Sequence, residues 1–325
     1  MENMVITNDI NKASLWKAIL KNHNFILLAI LAGLMIIGGF FVPALVQKDN
    51  LLNVLRLAAI VGLAAIGSTV VLLVGEIDLS IGSIMSLSLV TGGLMVGYGS
   101  GPALVVTCLT GVLLGIINGL LVTRLKINSL MVTLGTMSIF GGLANVVTRG
   151  QSIFLYDLPF YLWLGRGQIA GIPVPIILFL LVGMVLSIFL MFTKTGKEIY
   201  FTGGNKRAAW ISGININKIK LMAYGVAGLT AAMAGPLLSS QTNRITPIQG
   251  TGFELSAIAV AVLGGTSLIG GKGTIIGTVL GAIMFQLLLN VLTLSGVGTY
   301  MEQVLKGFLL IVIVVVYQVI DKPRR

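Results

Sequence analysis

Charged residues are scarce in this sequence. Asp, Glu, Lys and Arg make up 10% of its 325 residues, whereas 56% are hydrophobic and the mean hydropathy is +1.02. Soluble domains carry charges on about a quarter of their residues. The composition therefore excludes an ordinary soluble domain. Because the long apolar runs do not alternate with polar residues, as strands of a membrane barrel do, we expect an all-α polytopic membrane protein.

Reactive side chains are equally scarce. Cys108 is the one cysteine and His23 the one histidine. The chain can therefore form no internal disulfide, and neither a thiol cluster nor a zinc site is expected. No nucleophile, base and acid fall into a recognisable set, so we expect no catalytic residues, no bound metal and no enzyme activity in this chain.

One glycine-rich stretch superficially resembles a phosphate-binding loop. It is GGTSLIGGKGT, residues 264–274. A Walker A loop needs Gly six residues before its Lys and Ser or Thr directly after it. Thr266 precedes Lys272 by six residues and Gly273 follows it, so this loop is not expected to bind ATP.

Apolar runs long enough to cross a bilayer recur along the chain. We predict about ten spans, at 25–46, 53–74, 79–97, 102–123, 128–148, 170–192, 219–240, 254–270, 274–295 and 299–320. With both termini in the cytoplasm, fifteen of the 21 Lys and Arg residues fall inside and five outside, as the positive-inside rule requires. Residues 25–321 then form one transmembrane domain. Residues 1–24 are a cytoplasmic segment, either an interfacial helix or a solvated tail, and 322–325 are a cytoplasmic tail.

Glycines recur at helical spacing within two of these spans. Gly111, Gly115 and Gly119 are four residues apart, as are Gly277 and Gly281. Such ridges let helix backbones approach closely, so a packing role is favoured over a ligand role.

Two polar stretches interrupt apolar segments on the predicted inner side. One is the glycine loop 264–274, and the other is GEIDLSIG, residues 75–82. In the second we expect Asp78 at the N-cap of the next helix, accepting from the amide of Ser80 or Ile81. The carboxylate of Glu76 has no such explanation. Interrupted segments of this kind mark either a permeation path or simply two tight turns that need glycine.

The longest and most basic cytoplasmic loop is predicted at 194–220. Within it, NKRAAWIS predicts a short helix that begins after Asn205 as N-cap and ends at Gly213. A plain solvated loop would not need Ala208, Ala209, Trp210 and Ile211 in a row. We therefore favour a docking element for a cytoplasmic partner.

Three stretches together resemble a known family. GEIDLSIGSIMSLS, TGGNKRAAWISGININKIKLMAYGVAGLTAAMAG and GTGFELSAIAVAVLGGTSLIGGKGTIIGTVLGA are similar, in order and spacing, to the membrane subunits of ribose-type bacterial ABC importers. The resemblance extends over nearly the whole chain.

The resemblance implies the partners and the location. Two permease subunits form a pore in the bacterial plasma membrane, cytoplasmic subunits that bind ATP and Mg drive it, and an extracytoplasmic binding protein delivers a monosaccharide. This chain itself would bind no cofactor and no nucleic acid. The resemblance also assigns two sets of residues. The signature loop comprises Gly75, Asp78, Leu79, Ser80 and Gly82, and the coupling element that docks on the ATPase comprises Gly203, Gly204, Asn205, Ala208, Ala209, Ser212, Gly213 and Ile214.

The sequence departs from the family pattern at three places. Glu76 stands where Gly is frequent, Lys206-Arg207 where acidic residues are common, and Ser256 where Asp is usual. These departures put the charge match with the ATPase, and the details of the pathway, in doubt.

A pore for a neutral sugar needs modest hydrogen-bonding groups, because a tight site would not release its cargo. The candidates for the translocation pathway, each of which could equally form a helix–helix hydrogen bond, are Thr133, Thr136, Asn145, Phe253, Glu254, Thr266, Ser267 and Asn290. Two other readings remain open. One is an ABC permease for a nucleoside, an autoinducer-type sugar or an amino acid, and the other is an ion-coupled transporter that uses Asp78 and Glu254.

Overall fold

The computed structural model describes residues 23–156 and 158–320, and in this part of the chain the fold is mainly helical, as predicted. The helices are α1 (His23–Phe41), α2 (Lys48–Leu73), α3 (Ile81–Gly93), α4 (Ser100–Arg124), α5 (Ser129–Thr148), α6 (Pro159–Arg166), α7 (Val174–Phe192), α8 (Lys194–Gly204), α9 (Lys206–Ile211), α10 (Ile216–Thr242), α11 (Phe253–Leu263), α12 (Ile275–Leu294) and α13 (Thr299–Ile320). Short 3₁₀ turns occupy Pro43–Val46 and Val96–Tyr98.

Strands in the described residues form two small antiparallel ribbons. β1 (Ile153–Phe154) pairs with β4 (Arg244–Ile245), and β2 (Gln168–Ile169) pairs with β3 (Ile172–Pro173). Both ribbons lie on the predicted outer side. There β1–β4 ties two connections between spans together, whereas β2–β3 is a hairpin within one connection.

Each of the ten predicted spans contains a helix. Seven of these helices, α1, α2, α4, α5, α7, α10 and α12, are long and apolar enough to cross a membrane. The proposed interfacial helix of residues 1–24 and the tail 322–325 lie outside the described residues, apart from residues 23 and 24.

Two of the predicted spans are shorter in the structure. The prediction placed full spans at 79–97 and 254–270, but α3 has 13 residues and α11 has 11. At 1.5 Å per residue they measure roughly 20 and 17 Å, less than the ~30 Å hydrocarbon core. Turns flank α11 instead of further helix: Gly252 (φ 87°) precedes it and Gly265 (φ 87°) follows it. These spans are therefore broken helices.

The centre of the bundle is built by α2 and α10. Both are mostly buried, whereas α1 is almost wholly exposed on its apolar surface. α10 packs against α4, α2 and α3, and α2 packs against α12 and α11. One broken helix, α3, is consequently held by α10, and the other, α11, by α2.

The glycine ridges pack as predicted. A Cβ on Gly115 would collide with the Tyr224 carbonyl of α10, and a Cβ on Gly228 would collide with the carbonyl of Gly111. Gly119 fits against Leu221 in the same crossing. In α12, Gly277 and Gly281 fit against the C-terminal end of α11 in the same way. The α4–α10 crossing therefore brings backbone directly onto backbone.

This crossing predicts opposite effects for two neighbouring glycines. Gly228→Ala should lower the stability of the detergent-solubilised protein by roughly 1–3 kcal/mol, because the added methyl forces the helices apart. Gly225→Ala should be neutral or stabilising by up to about 1 kcal/mol, since its Cβ would meet Ile116 at an ordinary 3.7 Å. Thermal unfolding followed by circular dichroism measures both, and equal stability of the two variants would contradict the packing role.

Candidate functional site

The three polar stretches singled out in the sequence meet at one place. The turn after α2, the C-terminal end of α8 and the loop between α11 and α12 are in backbone contact there. The amide of Gly271 donates to the carbonyl of Leu73 at 3.0 Å. We call this meeting point the junction and define it by Gly75, Gly203, Gly204, Gly270 and Gly271.

At four of the five junction positions, all except Gly204, the space or the backbone conformation requires glycine. A Cβ on Gly203 would collide with the Leu73 carbonyl, and one on Gly271 would stand 2.6 Å from the Cα of Gly204. Gly75, Gly270 and Gly271 also have positive φ angles of 74°, 102° and 72°. Both the space and the backbone conformation therefore exclude larger residues.

The predicted coupling loop forms two helices rather than one. α8 forms the first part of this loop, where no helix was predicted, and α9 is the predicted short helix. Asn205 caps α9 by accepting from the amide of Ala208 at 2.9 Å. Gly213 ends it with φ 78°, and its amide donates to Trp210. Tyr200 of α8 donates to the Gly273 carbonyl at 3.0 Å, a second link to the glycine loop.

Two large apolar side chains of α9 are exposed. Trp210 is 72% exposed and its neighbour Ile211 is 70% exposed, although Ala209 between the helices is buried. A groove of about 410 Å³ runs beside Trp210, lined by Gly213 and residues 214–217. An exposed apolar pair beside a groove is typical of a protein contact surface.

Glu76, which the sequence left unexplained, is held by the coupling loop. Its Oε1 lies 3.1 Å from Nζ of Lys206 in α9 and 2.5 Å from Nζ of Lys220 in α10. Glu76 and Lys220 are largely buried, whereas Lys206 is half-exposed. Two departures from the family pattern, Glu76 and Lys206, are therefore partners of each other.

The charge of Glu76 is maintained by these lysines. Burial by itself raises the pKa of a carboxyl group, but the hydrogen bond and charge of Lys220, together with Ser129 and Lys206, outweigh it. The pKa of Glu76 consequently lies below its ordinary value, and the group is ionised at neutral pH.

Asp78 has a structural role close to the expected one. Its Oδ1 accepts from the amide of Ser80 at 2.8 Å and from the Ser80 hydroxyl at 2.6 Å. The expected bond to Ser80 is present, but the N-cap position is wrong: α3 begins at Ile81, so Ser80 is the N-cap. The side chain of Asp78 instead closes the turn that directly precedes α3, by accepting from the residue two positions on. Asn118 donates to the same Ser80 hydroxyl at 2.7 Å, which fixes this turn to α4. Leu79 packs with Leu268 against Leu72 and Ile258, joining the two inner connections.

The N-terminal ends of the two broken helices meet inside the protein. A Cβ on Gly82 would collide with the Gly250 carbonyl and with the Glu254 carboxylate, and the Gly250 amide donates to Ser86 at 2.8 Å. A cavity of about 150 Å³ opens at this contact. We call it the midpoint cavity; it is lined by Ser83, Ser86, Met137, Gly141, Asn145, Pro247, Ile248, Thr251 and Glu254.

Comparison with known proteins relates the chain to membrane permeases. A family model described as "Branched-chain amino acid transport system / permease component" matches residues 50–314. The ribose import permease protein of Bacillus subtilis is 42% identical over 86% of this chain and 88% of its own length. That of Haemophilus influenzae is 35% identical over 95% and 97%, and the D-allose transport system permease protein of Escherichia coli is 34% identical over 93% of each. No solved structure matches the chain.

The chain belongs to this permease family. The long apolar helices and the family together make it a multi-pass protein of the bacterial inner membrane.

The predicted pathway residues of the permease do not form one group. Asn145 and Glu254 line the midpoint cavity, whereas Phe253 lines a separate cavity of about 370 Å³ beside α13. Thr266 and Ser267 are buried in the glycine loop near the junction, where the Ser267 amide donates to the carbonyl of Lys272 at 2.9 Å.

One other candidate has the helix–helix hydrogen bond that was the alternative explanation. Asn290 exchanges two hydrogen bonds with Asn50, at 2.9 and 3.0 Å, and so joins α12 to α2. Thr133 and Thr136 instead donate to carbonyls of their own helix at 2.9 and 3.0 Å. None of the three side chains lines the midpoint cavity.

Sequence reasoning missed several residues of the permease that the structure brings to these sites. Ser83, Ser86 and Gly141 line the midpoint cavity, and Lys220 pairs with Glu76. No local pattern marks them, because serine and glycine are common packing residues in membrane helices. A weak signal exists in the similarity of DLS at 78–80 to ELS at 254–256, since both stretches begin or precede a broken helix.

The Glu76 cluster predicts a loss of stability that depends on pH. Glu76→Gln should lower the unfolding free energy of the permease by roughly 1–3 kcal/mol at neutral pH, because it leaves the buried Lys220 without a charge partner. A carboxyl group whose pKa is lower in the folded than in the unfolded protein stabilises the folded state at pH values above its unfolded-state pKa. This contribution is lost as the pH falls through the folded-state pKa. The difference from the wild type should therefore shrink in acid.

A matched control is the ion pair Lys194–Glu198 on α8, where the atoms are 3.8 Å apart and Lys194 is fully accessible to solvent. Glu198→Gln should change stability by no more than about 0.5 kcal/mol. Thermal unfolding over a pH series measures both variants, and a Glu76→Gln curve that coincides with the control would show that Glu76 is only a solvated charge.

Proposed function

We propose that this chain is the membrane-spanning subunit of an ATP-driven importer for a monosaccharide. The observation that carries the proposal is its membership of the permease family, with relatives named for ribose and D-allose at 34–42% identity over most of their length. The family description names branched-chain amino acids, so an amino-acid substrate is the alternative within the class. Individual relatives favour the sugar.

We further propose ten crossings, with both termini in the cytoplasm. The arrangement of the basic residues supports this topology, since an odd number of spans would invert the later loops and spoil the charge bias. In it, α3 and α11 each cross half of the membrane and the adjoining connections complete the crossing. Broken helices that meet near the bilayer midplane are a common way to build a transport site.

The partners follow from the class of transporter. A second permease subunit would complete the pore, a binding protein would deliver the sugar from outside, and ATP with Mg would be bound by cytoplasmic subunits rather than by this chain. The exposed Trp210 and Ile211, with the groove beside them, support α9 as the docking surface for the ATP-binding subunit.

The junction supplies a route from this docking surface to the pathway. Motion of α8 and α9 would act on the turn before α3 through the ion pair of Lys206 with Glu76. It would act on the loop after α11 through the backbone contact of Gly204 with Gly271 and through the Tyr200 bond. Because the contact of Gly204 with Gly271 is backbone to backbone, α8 and this loop would move together as a rigid body. ATP-driven displacement of α9 would thus reach both broken helices.

Transport in proteoliposomes tests the function. With the ATP-binding subunits inside and a sugar-loaded binding protein outside, uptake of radiolabelled D-ribose or D-allose should require ATP and stop without either partner. A proton or sodium gradient should not replace ATP. Uptake driven by such a gradient in the permease alone would instead establish the ion-coupled mechanism through Asp78 and Glu254.

Gly213 tests the docking role. Gly213→Val forces a branched residue into a backbone with φ 78° at the end of α9, a strain on the order of 1–3 kcal/mol. We expect it to abolish ATP-dependent uptake and to weaken co-purification of the ATP-binding subunit, while the permease stays in the membrane. Gly171→Val is the control, because Gly171 has φ 80° but lies in the β2–β3 turn. Normal uptake by Gly213→Val, or equal loss in both variants, would contradict the docking role.

A further inference from the structure

The midpoint cavity has the hydrogen-bonding capacity of a binding site. The Ser86 hydroxyl accepts from the Gly250 amide, so its own proton remains to donate. Ser83 donates to the Ser80 carbonyl at 2.8 Å and keeps its lone pairs. Asn145 donates to the Gly141 carbonyl at 2.9 Å, which leaves its amide oxygen to accept. The wall therefore offers at least two donors, the Ser86 hydroxyl and the second N–H of Asn145, together with several acceptors.

Glu254 adds a carboxylate whose charge is partly offset. Its Oε1 accepts from the amide of Gly252 at 3.0 Å, and it stands in the first turn of α11, where the helix dipole favours a negative charge. A carboxylate has about four lone-pair positions, so it can accept further hydrogen bonds. No other ionisable side chain lines the cavity among the described residues, so a charged solute would find one ionic group and no second partner there.

Part of the wall is apolar. Met137 of α5 and Pro247 and Ile248 of the connection before α11 supply it. A sugar ring has hydroxyl donors around its edge and C–H groups on its faces, and a wall that contains both acceptors and apolar groups matches both. The cavity volume is about 150 Å³. One water molecule needs only about 10–15 Å³, so the cavity holds more than a single water.

We propose that the midpoint cavity is a transient binding subsite for a single neutral monosaccharide, with Glu254, Asn145 and Ser83 accepting its hydroxyl protons and Ser86 donating. The inference rests on the proposed function and deepens it. The subsite lies between the N-terminal ends of α3 and α11, so displacement of either broken helix changes its shape. Binding by single, separately weak hydrogen bonds lets the sugar leave again.

Gly141 offers a direct way to fill the cavity. It lines the wall, and a Cβ built on it meets no atom within 4 Å. Gly141→Leu therefore places its side chain in the cavity without displacing a neighbouring helix. Gly142, the next residue of α5, also has open space at Cβ but does not line the cavity. The two leucine variants differ only in the direction in which the added side chain points.

Uptake of radiolabelled D-ribose by the assembled importer in proteoliposomes is the first test. Gly141→Leu should lower uptake at least about tenfold, since it removes two or more hydrogen bonds to the sugar. ATP hydrolysis by the partner subunits and the amount of permease in the membrane should stay unchanged. Gly142→Leu should transport like the wild type. Equal uptake by both leucine variants would overturn the subsite.

Glu254→Gln separates a neutral solute from a cationic one. The variant keeps the size and an accepting oxygen but removes the charge, so we expect the KM for D-ribose to rise about tenfold with kcat little changed. Complete loss of D-ribose uptake, at any sugar concentration, would contradict the proposed accepting role and indicate that the charge itself is essential.

Thiol accessibility tests the cavity independently of transport. Cys108→Ser gives a background free of cysteine, because Cys108 is the one cysteine of the chain. In it, Gly141→Cys should react with a small hydrophilic methanethiosulfonate and be protected by D-ribose, whereas Gly142→Cys should not react. An unreactive Gly141→Cys would overturn the cavity as part of the path. A reactive thiol that the sugar does not protect would overturn the subsite, and failure of the wild type to carry any sugar would instead overturn the proposed function.

Discussion

The close approach of bare backbone at the junction is the contact on which the rest of the permease depends. Gly203 and Gly271 touch the end of α2 and each other's segments so tightly that a methyl group on either would collide with main-chain atoms. The hydrogen bond from Gly271 to Leu73 closes this contact. A contact between side chains can be relieved by a change of rotamer, whereas a contact between backbone atoms cannot. The junction therefore holds three separate segments in one fixed arrangement.

The ion pairs of Glu76 with Lys206 and Lys220 hold neighbouring segments together electrostatically, in addition to the close backbone packing. A carboxylate in a largely buried position is costly unless it is paired, and Lys206 and Lys220 provide two partners from two helices. The pairing also explains two residues that departed from the family pattern separately. Glu76 and Lys206 are complementary departures, because their side chains form an ion pair with each other.

The broken helices determine where polar chemistry can occur in an otherwise apolar bundle. A continuous helix satisfies its own backbone groups, whereas a helix that begins inside the protein leaves amide donors to be used. Gly82 and Gly250 bring two such beginnings together, and the small side chains around them leave the midpoint cavity. The close approach at Gly82 and Gly250 thus brings polar side chains of both broken helices, Ser83 and Ser86 of α3 and Glu254 of α11, to one opening.

Several features of this fold follow from local physics and could be predicted from the sequence. Apolar run lengths located the helices of all ten predicted spans, and Asn205 and Gly213 set the ends of α9 through capping. The four-residue glycine spacing predicted close helix packing, which the structure shows between α4 and α10. Each of these depends on residues within a few positions of one another. α8 was missed because KTGKEIYFTGG contains three glycines, and packing against α7 overrides their low helix propensity.

The sequence by itself thus determined the class of protein, its membrane location and the family resemblance, since composition and local order carry that information. Only the tertiary structure decided which polar residues act together. Glu76 and Lys206 are 130 residues apart in the chain, and Ser86 and Gly250 are 164 apart. Asn145 and Asn290 looked alike as pathway candidates, yet one lines a cavity and the other pairs with Asn50. Such contacts depend on how the helices pack, and no local pattern records that.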